Sequence, residues 1–153
     1  MQTTQSTQTQ NKEVIEQLNS LLRGEISAAE TYKLAIDRAA AEFPAQVRTL
    51  RAISQEHGEA AQALRECVTR AGGDADDSSG TWGIYVKTIE GVAKIFGDTI
   101  ALKALKEGEE HGLRDYRDAL DSLDPESRRL VAERLIPAQE RHITTLDGMI
   151  ATI

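Results

Sequence analysis

The sequence predicts an all-α fold, a four-helix bundle built from two antiparallel helix hairpins joined by a long crossover. Three observations carry this. Apolar residues recur at helical spacing over four long segments. No stretch of useful length alternates apolar and polar residues as a strand would. Two of the three connections are short, near residues 42–44 and 123–124, which makes the helices they join antiparallel neighbours. Composition agrees, since Ala and Leu are abundant, set among Glu, Lys and Arg, and only 4% of residues are aromatic.

With 153 residues the chain is long enough for one domain with a real core. Residues 1–11, MQTTQSTQTQN, read as a disordered polar tail, and 12–153 as the bundle. The first helix runs from about Lys12 to Ala41 and ends near Phe43-Pro44. The second runs from Pro44 to about Arg70, where Gly72-Gly73 stops it, and GGDADDSSG reads as a flexible loop. The third begins near Thr81 or Trp82 and continues to about Ser122, with Gly91 or Gly97 as a break. Its early part, Trp82 to Phe96, is the most apolar and aromatic stretch, suited to capping one end of the bundle or to a contact between copies. The fourth starts at Asp124-Pro125-Glu126, a capping acid followed by Pro at the first helical position, and runs almost to Ile153.

A net charge of −7 argues against nonspecific nucleic-acid binding. The single cysteine, Cys67, excludes an intramolecular disulfide and suits a reducing cytoplasm, where it reads as a small core residue. No apolar run reaches the roughly 20 residues of a membrane span, and the N-terminus lacks the features of a secretory signal.

The chemistry lies in four polar residues at the centres of the apolar stripes. At about 100° per residue, Glu25 is flanked by Leu18 and Tyr32, and Glu109 by Leu102 and Tyr116. His57 sits among Leu50, Ile53, Ala61 and Leu64, and His142 among Leu135, Ala138, Leu146 and Met149. Measured from the hairpin turns, each Glu and His lie within about one or two helical turns of the same height. Gly-Glu with Tyr seven residues after the Glu occurs twice, at Gly24-Glu25…Tyr32 and Gly108-Glu109…Tyr116, each followed one helix later by a stripe-centred His. This weak internal repeat brings two Glu and two His to the bundle axis. Such a set can satisfy itself as hydrogen-bonded pairs, or bind a divalent metal. Tyr32 and Tyr116 either donate hydrogen bonds to the carboxylates or simply pack. Glu30 and His111 read as surface residues, and Glu56 and Glu140 point off the stripes.

LNSLLRGEISAAETY resembles the first helix of bacterioferritin-type proteins, and residues 13–149 resemble the ferritin-like superfamily, with EGEEHGLRDYRDAL and the Trp-containing crossover similar to an uncharacterised bacterial family of ferritin-like bundles. The resemblance implies metal ligands at Glu25, His57, Glu109 and His142, with iron, or manganese or zinc, as the metal, and a homo-oligomer. The superfamily places two further Glu three residues before each His, where they bridge two irons. Here those positions hold Ser54 and Gln139. A two-metal oxidase therefore ranks last. The leading expectation is a metal-binding bundle for metal handling or stress-related storage. The alternative is a metal-free structural or interaction bundle with a buried Glu/His network.

Overall fold

The computed structural model describes residues 2–39, 44–79 and 99–152. They form α1 (Gln2–Ala39), α2 (Pro44–Arg70), α3 (Thr99–Ala119), a 3₁₀ turn (Leu120–Ser122), and a fourth rod of α4 (Pro125–Leu130), a π-helical turn (Val131–Leu135) and α5 (Ile136–Ala151). Among the described residues there is no strand. The chain is thus an all-α four-helix bundle. None of its described helices is long and apolar enough to cross a membrane.

Both hairpins run antiparallel. Asn11 meets Ala71 while Glu25 meets His57 across α1 and α2, and Lys106 meets Asp147 while Arg117 meets Glu140 across α3 and α5. Each hairpin is closely packed internally, whereas α1 against α3 and α2 against α5 approach over far fewer residues. The two sparse seams leave room for polar side chains at the axis and for openings to the surface.

Three local features depart from the sequence pattern. First, α1 begins at Gln2, so residues 2–11 continue the helix rather than forming a tail. Their hydroxyls bond back to the preceding turn, Ser6 and Thr7 to Thr3 O and Thr9 to Gln5 O, and Asn11 Nδ2 donates to Ala71 O. Second, the glycine loop is held along α1. Gly72 takes φ +85°, and α2 closes with Gly73 N–H to Val68 O and Gly72 N–H to Thr69 O, both 3.0 Å, the Schellman pattern that requires a left-handed residue. A Cβ on Gly73 would stand 2.6 Å from Ile15 Cγ2, so the backbone lies directly on α1. Asn19 then bonds both Asp74 O and Asp76 N–H, and Arg23 pairs with Asp76. Third, the fourth helix contains the π-helical turn. Pro137 has no N–H and its ring collides with the carbonyl four residues back, and the wider turn just before it, with Ile136 N–H bonded to Val131 O, relieves this. α3 is described from Thr99; the expected start near Thr81, the breaks at Gly91 and Gly97 and the aromatic crossover lie outside the described residues.

Asp124 caps α4 as its type and position suggest, its side chain accepting from Ser127 N–H at 3.1 Å.

The core is two apolar layers. One gathers Leu18, Leu22, Leu64, Val68, Leu123 and Val131; the other gathers Ile36, Val47, Leu50, Ile53, Leu102 and Leu146. Each fully buried Leu contributes about 1.5–3 kcal/mol by leaving water. The polar residues of the stripe centres occupy the level between these layers.

Candidate metal centre

Glu25, His57, Glu109 and His142 are all buried, each at 5% exposure or less. A carboxylate on each of α1 and α3 and an imidazole on each of α2 and α5 converge because all four stand at the centre of their own helix's apolar stripe. Burying the stripes forces them inward together. His57 is the bridge: Nδ1 lies 2.6 Å from Glu25 Oε2 and Nε2 lies 2.8 Å from Glu109 Oε1. A carboxylate only accepts, so a ring hydrogen-bonded to carboxylates through both nitrogens is an imidazolium. Burial opposes that charge, but Glu25 and Glu109 outweigh it and raise His57 to about 10. For Glu109 burial likewise opposes the charge. The His57 charge, with contacts from His142 and His57, overcomes this and lowers Glu109 to about 2. His57 and Glu109 thus hold each other in their charged forms.

The tyrosines cross between the two hairpins. Tyr32 on α1 donates to Glu109 Oε1 on α3 at 2.6 Å, and Tyr116 on α3 donates to Glu25 on α1. Burial, then the carboxylate charges, push both phenols well above their usual range, so both remain donors. Of the two readings the sequence left open, the structure gives hydrogen bonding.

Three further residues matter. Gln139, 4% exposed, donates Nε2–H to Glu109 Oε2 at 2.5 Å and to Glu109 O at 3.0 Å. It therefore supports Glu109 where the resemblance implied an absent bridging acid. Ser54 is half-buried on α2. Glu56, expected to point away, instead reaches from α2 to α5, with Oε2 2.5 Å from His142 Nε2. Its side chain is 42% exposed, so its backbone position is off the stripe while its carboxylate is not. The other nitrogen, His142 Nδ1, is buried without a hydrogen bond among the described residues, 3.4 Å from Glu109 Oε2. Glu140 stays on the surface, paired with Arg117, and His111 faces Asp115. Cys67 is buried, as expected.

Among the described residues, two openings reach this level. A cavity of about 280 Å³ lies between α1 and α3, with Gly24, Ala28, Ala104 and Gly108 in its walls and Glu25, His57 and Glu109 at its floor. A smaller one of about 120 Å³ lies on the α2–α5 side, lined by Glu56, Glu59, His142, Arg134 and Arg141.

The glycines of the larger opening make a sharp test. Nothing lies within 4 Å of a Cβ placed on Gly24, so Gly24→Ala is expected to stabilise the helix by up to about 1 kcal/mol. A Cβ on Gly112 would stand 2.7 Å from Gln139 Nε2, which is pinned to Glu109. Gly112→Ala must displace that amide, forfeiting a bond to a charged group worth about 1.5–3 kcal/mol, more than the helix gain. Urea unfolding of both variants is expected to move the midpoint in opposite directions.

His57, Glu109 and His142 each offer a ligand atom, and these atoms all lie within 4.8 Å of one another. His57 and His142 rings are 4.8 Å apart between centroids. Glu25 lies beside this group through its bond to His57. Fold and site thus define an all-α bundle with a buried Glu/His cluster that could hold a metal ion. A family model described as "Domain of unknown function (DUF2383)" matches residues 13–122, most of the chain, and the protein belongs to that family. No curated protein and no solved structure matches it.

Proposed function

We propose that this protein is a ferritin-like bundle that binds one divalent cation per chain, iron in preference to manganese or zinc, and serves metal handling or stress-related storage. His57, Glu109 and His142 hold the ion and Glu25 completes the set. The observation that carries this is His142 Nδ1: a buried nitrogen with no hydrogen bond, facing a carboxylate oxygen 3.4 Å away. In the neutral ring, with Nε2–H held by Glu56, the Nδ1 lone pair faces that oxygen, and a cation between the two matches the nitrogen and oxygen donors that suit these metals. The bound ion supplies positive charge that balances the two buried carboxylates. Two bridged metals do not suit this donor set, because Gln139 turns an amide N–H towards Glu109 and Ser54 offers no carboxylate. The reading is binding rather than oxidation. It also carries the expectations of a homo-oligomer and a cytoplasmic setting.

The test is elemental analysis of protein purified without chelator, beside a His57→Ala/His142→Ala double variant. Metal lost in the variant supports the reading; equal metal in both contradicts it.

One observation favours a second reading, a metal-free network. Glu109 accepts from Tyr32, His57 and Gln139, and Glu25 from His57 and Tyr116, so the carboxylates are satisfied without an ion. That reading expects no metal in either protein.

A further inference from the structure

We propose that Glu56 is the positioning residue of His142, fixing which ring nitrogen faces the cluster. This rests on the metal-binding reading and names a residue that neither stripe position nor resemblance selects. Glu56 Oε2 lies 2.5 Å from His142 Nε2. A carboxylate cannot donate, so Nε2 must carry the hydrogen. In the neutral ring the lone pair is then on Nδ1, the nitrogen that faces Glu109 and lacks a hydrogen bond. Carboxylate on one nitrogen and an open lone pair on the other is the arrangement by which proteins orient a metal-ligating imidazole and raise its basicity.

The two imidazoles differ in this respect. Both nitrogens of His57 are taken by carboxylates, whereas His142 has one held and one open. α2 therefore supplies a ligand, His57, and through the adjacent residue the support for the ligand on α5. Arg141 Nη2 also stands 3.8 Å from Glu56 Oε2. At 42% side-chain exposure, Glu56 can be substituted without opening the apolar layers.

The experiment reads the ring nitrogens directly. Long-range ¹⁵N–¹H correlation on the metal-free wild type, with resonances assigned by His111→Gln and His142→Gln, is expected to show His142 with hydrogen on Nε2 and none on Nδ1. Glu56→Ala is expected to mix the tautomers and weaken Zn²⁺ binding about 10–100-fold. Glu56→Gln, whose carbonyl still accepts from Nε2–H, is expected to restore the tautomer and much of the affinity. A wild-type His142 with its hydrogen on Nδ1, or Glu56→Ala keeping both tautomer and Zn²⁺ affinity, overturns the proposal. If the wild type takes up no Zn²⁺, the metal-binding reading fails, and the wild-type and Glu56→Ala tautomers still decide the role of Glu56.

Discussion

Glu109→Ala is expected to destabilise the metal-free protein by about 3–5 kcal/mol, because it breaks a buried ion pair and leaves the His57 charge with one partner fewer. The carboxylate accepts from Tyr32 at 2.6 Å, His57 at 2.8 Å and Gln139 at 2.5 Å, and all three donors are buried with it. Its removal strands a phenol, an amide and half of the imidazolium's compensation between two apolar layers. Against a total stability of about 5–15 kcal/mol this is a large fraction. Glu109→Gln keeps an acceptor in the same shape and is expected to cost less. Urea unfolding with chelator present isolates the effect from metal. A loss below about 1 kcal/mol for the alanine variant would mean that the cluster is not a tightly coupled network.

The second large effect is on pH dependence, and its sign differs between metal-free stability and metal affinity. His57 is raised from 6.5 to about 10, so its contribution is complete below pH 6.5 and is lost as pH rises towards 10. Glu109 is lowered from 4.5 to about 2, so its contribution is complete above pH 4.5 and is lost as pH falls towards 2. Metal-free stability is therefore expected to be greatest between about pH 4.5 and 6.5 and to fall on both sides. Metal affinity should instead climb from pH 6 to 9, because an imidazolium must lose a proton to become a ligand. Denaturant titrations across pH, with and without Zn²⁺, check both trends. Metal-free stability that rises steadily to pH 9 would show that His57 is not held as an imidazolium.

The centre of the site was legible because a helix's apolar stripe and its polar interruptions share one geometry. Glu25, His57, Glu109 and His142 could be placed from spacing alone, and the structure brings them together. Glu56 and Gln139 were not legible in the same way. Glu56 sits off its stripe and reaches the cluster with a long flexible side chain. Gln139 shows its role only through the notch at Gly112 on another helix. The loop after α2 looked unconstrained because its residues are small and acidic; its anchors, Asn19 and Arg23, belong to α1. The π-helical turn follows from Pro137, whose signal the surrounding helical period conceals.

The central claim, that the buried cluster holds a divalent ion, is tested most directly by calorimetric titration of chelator-stripped wild-type protein with Fe²⁺ under anaerobic conditions. The account predicts saturation at one ion per chain, with protons released to the buffer as His57 gives up its charge. Absence of binding, or binding that persists unchanged in the His57→Ala/His142→Ala variant, would contradict it and leave the cluster as a structural network.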